Sequence, residues 1–163
     1  MKNIAFIGTS HIHTPNFISK VNSNNQINCI GVWDKDKNRS KSDSEKLKCK
    51  NYDDYIDLLK EPNLDGVIVC SETNLHYELV KKITENKKHC FIEKPLGIGK
   101  KDSFEMANLI ESSNIIFQTG YFMRSNPVYI KLKELITTNY FGEISRIRLI
   151  NCHDGIMLSL IHI

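Results

Sequence analysis

What this 163-residue chain lacks narrows its reading before any motif does. No apolar run approaches the ~20 residues needed to cross a bilayer, so no membrane span is expected. The opening Met1-Lys2-Asn3 runs into an apolar stretch too brief for a secretory signal, and a cytoplasmic protein is expected. Its five cysteines, Cys29, Cys49, Cys70, Cys90 and Cys152, show no C-x-x-C spacing, so free thiols packed in the core are expected. A strong charge of one sign is missing too. The net charge is +3 and the isoelectric point about 8.5, with Lys and Glu interspersed, which gives no support to nucleic-acid or membrane-surface binding. There is no internal repeat and no low-complexity tract. What remains, 40% hydrophobic and 25% charged residues, is an ordinary globular composition, enough for one domain or for one domain and part of another.

Apolar runs and helical patterns alternate along the chain. Residues 4–7 read as a strand closed by Gly8. Thr14 and Pro15 then make an N-cap and first-turn pair for a helix with Phe17, Ile18 and Val21 on one face. Residues 27–33 form a second buried run ending at Asp34, followed by a charged helix. Tyr52, Tyr55, Ile56 and Leu59 give a short amphipathic helix, and residues 66–70 the next strand. A helix from about Asn74 carries Leu75, Leu79, Val80 and Ile83. The strand 90–92 follows, then a helix with Phe104, Ala107 and Ile110, and a strand over 115–117. This order specifies an α/β fold, a Rossmann-type doubly wound parallel sheet. After Gly120 the pattern changes: Val128, Leu132, Leu135 and Ile136 form a helix, and a strand is expected over 145–150. The boundaries are residues 1–121 for the first domain and 122–163 for the truncated start of a second α/β domain.

Chemistry in such sheets collects at the carboxyl ends of the strands. Cys90-Phe91-Ile92 stops there at Glu93, Lys94 and Pro95, and the proline turns the chain out of the sheet and aims Lys94. The first turn, Gly8-Thr9-Ser10-His11, opens a helix whose amino end suits a pyrophosphate. Of the pattern G-x-G-x-x-G only Gly8 is kept; Ser10 and His13 stand at the other glycine positions, and the His13 ring falls where the helix should approach the strand. Asp34 at the end of the second run can accept ribose hydroxyls and repel a 2′-phosphate, which favours NAD, with NADP possible because Lys35, Lys37 and Arg39 lie nearby. Asp34 can equally serve as a helix N-cap. His11 and His13 alternate sides in an extended segment without a carboxylate or cysteine at ligand spacing, so no metal is expected; His11 is read as packing against cofactor or substrate.

With these residues in hand, the chain resembles the Gfo/Idh/MocA oxidoreductases, the glucose-fructose oxidoreductase and inositol dehydrogenase group, across about residues 1–150. The resemblance is carried by Glu93-Lys94-Pro95 behind Lys88-His89. Asn74 and His76, Gly120-Tyr121-Phe122-Met123-Arg124 with Pro127, and Phe141-Gly142-Glu143-Ile144 support it. It implies an NAD(P)-dependent dehydrogenase acting on a sugar, polyol or related hydroxyl compound, in a homo-oligomer when full length. It implies that Lys94 stands beside nicotinamide and substrate as the catalytic amine, often behind a cis peptide bond to Pro95. Glu93 would contact the nicotinamide ribose and pair with Lys94. Ser71, Asn74 and His76 would line the cofactor groove, and Arg124 would lie on the substrate side. His76 has an alternative reading as a capping or packing histidine. The family runs longer and keeps a catalytic histidine in its second domain. Here His153-Asp154-Gly155 is followed by a tail over 156–163 that matches nothing in the family, so a truncated, catalytically weak chain is expected. A non-catalytic NAD-sensing protein of the same fold is the alternative. A methyltransferase would share the first turn and Asp34 but leaves Glu93-Lys94-Pro95 unexplained.

Overall fold

Runs of consecutive apolar residues hide both faces of a strand, and they form a sheet covered on both sides. In the computed structural model, which describes residues 1–150, the strands are β1 (Lys2–Ile7) and β2 (Ile27–Trp33), then a two-residue β3 (Lys50–Asn51), β4 (Gly66–Val69), β5 (His89–Ile92) and β6 (Phe117–Thr119). All neighbours pair in parallel, in the order β3-β2-β1-β4-β5-β6. The order reverses between β1 and β4, so a crevice opens at their carboxyl ends, where ligands of such sheets bind.

Helices α1 (Thr14–Asn22) and α2 (Lys37–Leu47) cover one face, burying Phe6, Ile18, Val21, Val32 and Leu47 together. Helices α3 (Tyr55–Leu59), α4 (His76–Glu85) and α5 (Gly99–Ser113) cover the other, where Ile7, Leu58, Leu59, Ile83, Ile92 and Met106 are fully buried. Each such side chain contributes about 1.5–3 kcal/mol by leaving water. Local chemistry sets the helix starts. Asp36 accepts the amides of Asn38 at 2.9 Å and Arg39 at 3.2 Å to open α2, an almost wholly polar helix, and Asp54 accepts that of Ile56 at 2.8 Å to open α3.

Several expectations shift. Thr14 is the first residue of α1, not its cap; His13 occupies the cap position without a side-chain capping bond. Strand β3 was not expected, because Lys50 and Asn51 are polar and exposed. The helix expected from Tyr52 starts at Tyr55, since Tyr52 turns its ring into the core beside Gly31. The last strand of the sheet lies at Phe117–Thr119 instead of 115–117, leaving Ile116 exposed. On α5 the buried anchor is Met106, whereas Phe104 is 60% exposed. Residues 145–150 form no strand: they find no partner for a ladder among the described residues.

The chain divides into two compact units, Met1–Gly120 and a second that begins at Tyr121. Within the second, a 3-10 turn (Phe122–Ser125) precedes α6 (Pro127–Thr137), which Asn126 caps at the amide of Val128, 2.9 Å away. No side chain of α6 is buried, and Tyr140 and Ile147 are also exposed. Cys152, His153, Asp154, Gly155 and the tail 156–163 lie outside the described residues. Among the described residues no helix is long and apolar enough to cross a membrane.

Candidate functional site

Because the strands run parallel, whatever follows each of them emerges at one rim. Gly8 and Thr9 follow β1, Asp34 follows β2, Cys70 and Ser71 follow β4, and Glu93 and Lys94 follow β5. Gly8 is held at φ +77°, and a side chain there would come within 2.7 Å of the Ser71 Cα, so only glycine lets the first turn lie against the β4 turn. The two turns are also stitched by main-chain bonds, the His11 amide to the Cys70 carbonyl at 2.9 Å and the Cys70 amide to the Gly8 carbonyl at 3.2 Å.

Asp34 is 1% exposed, and its carboxylate is fully engaged. It accepts from the Thr9 amide at 2.6 Å, the Thr9 hydroxyl at 3.2 Å, the Asp36 amide at 2.8 Å, and Arg39 through Nε at 3.1 Å and Nη2 at 2.8 Å. A carboxylate offers about four lone-pair sites, so nothing is left for ribose hydroxyls while Arg39 stays in place. Burial alone would raise the Asp34 pKa, but the Arg39 bonds and the Thr9 and Asp36 amides outweigh it and hold the group below its ordinary value. Sequence reasoning offered Asp34 as an open acceptor; a buried charge without partners is too costly, and Arg39 fills that need. Glu72 extends the network, meeting Lys35 at 2.9 Å and Arg39 at 3.8 Å. No spacing rule signals that second acid, which reaches Arg39 only through the fold.

On the other side of the crevice Glu93 is 3% exposed. Its carboxylate takes the His13 Nδ1 at 3.1 Å and the Lys94 amide at 2.9 Å, and Gly120 comes so close that a Cβ there would lie 2.8 Å from Oε2. The expected pairing of Glu93 with the Lys94 ammonium is not formed: the carboxylate faces the first turn. Lys94 itself is half-buried at the rim, joined to Pro95 by a cis peptide bond, and its ammonium makes no bond or ion pair to a described residue. The expectation that no carboxylate joins His11 and His13 is corrected by the same fold, since donor atoms of His11, His13 and Glu93 lie within 4.8 Å of one another, a set that could hold a metal ion.

His76 is 1% exposed, behind the groove wall instead of on it. Its Nδ1 lies 3.0 Å from the Pro95 carbonyl and 3.1 Å from that of Leu96, and its Nε2 lies 3.3 Å from the Ser71 carbonyl. The ring therefore ties the β4 turn to the segment after Lys94, and burial pushes its pKa down. Ser71 is likewise buried, while Asn74 is exposed on the 3-10 turn Thr73–Leu75. Arg124 belongs to the second unit, on the turn Phe122–Ser125.

Beside the first turn lies a cavity of about 290 Å³ lined by Thr9, Ser10, His11, Ile12, Thr14 and Pro15 from the turn and by Arg39, Ser42, Asp43 and Lys46 from α2. The amides of Ser10 and Ile12 donate to no described group. Two unpaired amides next to a guanidinium and a helix amino end are the donor set that a phosphate-bearing ligand needs, so these residues fit a dinucleotide.

Comparison with known proteins identifies the family and the fold. Residues 2–121 match the family model described as "Oxidoreductase family, NAD-binding Rossmann fold". The chain is similar to the myo-inositol 2-dehydrogenase of Thermotoga maritima, 38% identical over 94 residues, which is 58% of this chain and 28% of that protein. It is similar to the scyllo-inositol 2-dehydrogenase (NAD(+)) of Bacillus subtilis, 27% identical over 82% of this chain and 38% of that one. In fold it resembles the scyllo-inositol dehydrogenase of Lactobacillus casei solved with NAD(H) and scyllo-inositol bound, with a TM-score of 0.74 at 18% identity, covering 89% of this chain and 43% of that one. The chain thus spans less than half the length of each of these relatives.

Proposed function

Since the chain belongs to the Gfo/Idh/MocA oxidoreductases through an NAD-binding Rossmann domain, we propose that it is the cofactor-binding part of a cytoplasmic, homo-oligomeric dehydrogenase that oxidises an inositol-like polyol or a sugar. Residues 1–121 would hold the dinucleotide and residues 122–163 would begin the substrate domain, bringing Arg124 to the substrate. The observation that carries this reading is the meeting at one rim of the Gly8 turn, with its unpaired Ser10 and Ile12 amides, and Glu93-Lys94.

When bound, the nicotinamide supplies the acceptor for hydride. The chain's own groups do the rest. The Ser10 and Ile12 amides hold the diphosphate. Asp34 reaches the adenosine ribose once Arg39 swings aside, and the released guanidinium keeps NADP admissible while the buried carboxylate favours NAD. Lys94, aimed by the turn at Pro95 and with no ion pair to a described residue, hydrogen-bonds the substrate hydroxyl and holds or accepts its proton. Glu93 bonds His13 and the Lys94 amide and so fixes the backbone that carries that lysine, and His76 fixes the segment beyond it. Residues 1–121 are read as binding the cofactor, with turnover of a polyol or sugar requiring a complete substrate domain beside them.

The test is a fluorescence titration of the chain with NADH, joined to a dehydrogenase assay with NAD and a panel of inositols. The assay uses the chain as given and a form extended by a complete substrate domain. Expected are saturable NADH binding by both forms and turnover by the extended form that Lys94→Ala lowers by a factor of about 100 or more without abolishing NADH binding. Failure of the chain to bind either NADH or NADPH would sink the reading.

A further inference from the structure

Two free cysteines lie side by side apart from the residues that end the strands at the crevice. Cys29 lies on β2 and Cys49 in the link between α2 and β3, and their sulfurs stand 3.7 Å apart, 20 residues distant in the chain. We propose that Cys29 and Cys49 are a modification site, a dithiol that a hydroperoxide converts to an intramolecular disulfide.

The two thiols differ in a way that assigns their roles. Cys29 sits in the core between α1, α2 and the sheet, whereas Cys49 is only half-buried, beside the sheet's β3 edge. Cys29 donates to Cys49, and this bond lowers the Cys49 pKa against the opposing effect of burial, while the same bond and burial push Cys29 up. Cys49 is therefore the thiolate that meets an oxidant first, and Cys29 is the resolving thiol held against it. In the first step the Cys49 thiolate attacks the peroxide O–O bond, forming a sulfenic acid and releasing hydroxide, which takes up a proton as water. In the second, the Cys29 sulfur attacks the sulfenic sulfur, the S–S bond forms, and hydroxide leaves with the Cys29 proton as a second water. The two thiols lose two electrons and hydrogen peroxide gains them.

Closing the pair requires the sulfurs to approach from 3.7 Å to the ~2.05 Å of a disulfide, a movement within the reach of side-chain rotation at an edge strand. The bond would staple β2 to the start of β3 across α2. Cys70 and Cys90 are buried on the sheet, burial holds both thiols protonated (Cys70 is pushed up to about 12), and they serve as the internal controls.

The experiment treats the native chain with hydrogen peroxide, blocks remaining thiols with iodoacetamide, and maps peptides by mass spectrometry without reduction. A Cys29–Cys49 linked peptide, lost again on adding dithiothreitol, is expected, together with a thermal midpoint raised by several degrees and returned by reduction. Cys49→Ser should remove the linked peptide and the shift, and Cys70→Ser should leave both. If Cys29→Ser fails to fold, mapping of the native chain decides alone. The proposal is overturned if oxidation leaves both cysteines alkylated, stops at a sulfenic or sulfinic Cys49, or joins Cys49 to Cys152 or to a second copy of the chain. None of these outcomes depends on nucleotide binding.

Discussion

Replacing Arg39 by alanine separates the cost of a buried acid from the use made of it. In the wild type Arg39 gives two of the five hydrogen bonds on Asp34, and its long side chain can leave without moving the backbone at Thr9 or Asp36. Breaking a fully buried ion pair from one side costs about 3–5 kcal/mol, but Arg39 is 32% exposed, and water entering its place reduces the loss to about 2 kcal/mol. For a domain of this size that is a fall in thermal midpoint of roughly 4–8 °C. Bound NAD has the opposite relation to the change. In the binding mode proposed above, the ribose displaces the guanidinium to reach Asp34 in the wild type, whereas in Arg39→Ala the acceptor sites are already open. The variant should bind NADH about as tightly as the wild type or up to roughly tenfold more tightly, and saturating NAD should return most of the lost midpoint. Differential scanning fluorimetry with and without NAD, alongside NADH titration, reads both quantities. A variant with an unaltered midpoint would refute the capping role. A variant that loses midpoint and also binds NADH tenfold more weakly would show that Arg39 grips the dinucleotide itself.

Gly8→Ala should destabilise the chain by about 2–4 kcal/mol, measured by urea unfolding, because φ +77° strains an L residue and the new methyl meets the Ser71 backbone. Asp34 titrates lower in the folded chain than in the unfolded one, so its charged form adds stability above the ordinary carboxylate value of about 3.9, and this is lost as pH falls through the folded value. The stability gap between wild type and Asp34→Asn should therefore be constant near neutrality and close below about pH 4; a gap unchanged down to pH 2 contradicts the assignment. His76 is also lowered, which for a base means that the unfolded chain binds the extra proton first. Wild-type stability should decline as pH falls below about 6.5, and His76→Gln, less stable at neutral pH, should lack that component of the slope.

What could be read in advance followed from burial on both sides of a sheet. Residues 66–69 are a continuous apolar run and residues 27–33 nearly so, broken only by Asn28, and a strand of a covered sheet hides both faces in so few residues. Strand β3 carries no such signature, because Lys50 and Asn51 sit exposed at the edge and are strand only by virtue of their ladder to Gly31 and Val32. The anchor of α5 was misplaced for a related reason: Phe104 and Met106 are both apolar, and only the sheet decides which of them is turned inward. At the site, the sequence marked the residues that follow β1, β2 and β5, namely Gly8, Asp34 and Glu93. It could not show which partners those residues would find, since His13 reaches Glu93 across 80 positions and Glu72 reaches Lys35 from the turn after β4.

That long-range pair also accounts for the departure in the first turn. A glycine at the third position of the fingerprint lets a helix approach its strand closely. Here His13 occupies that position with φ −82°, an ordinary right-handed conformation, and the side chain buried at the helix start is that of Thr14, one residue later. The His13 ring is thereby turned outward, 44% exposed, onto the Glu93 carboxylate. Close approach is retained farther along α1, where the Phe17 and Phe91 rings stand 5.2 Å apart. The histidine joins the turn to the β5 end through a side chain, at the carboxylate that also accepts the Lys94 amide. Loss of the glycine is thus compatible with nucleotide binding, because its packing task passes to Thr14 and its replacement ties the phosphate-binding turn to the residues proposed to carry the chemistry.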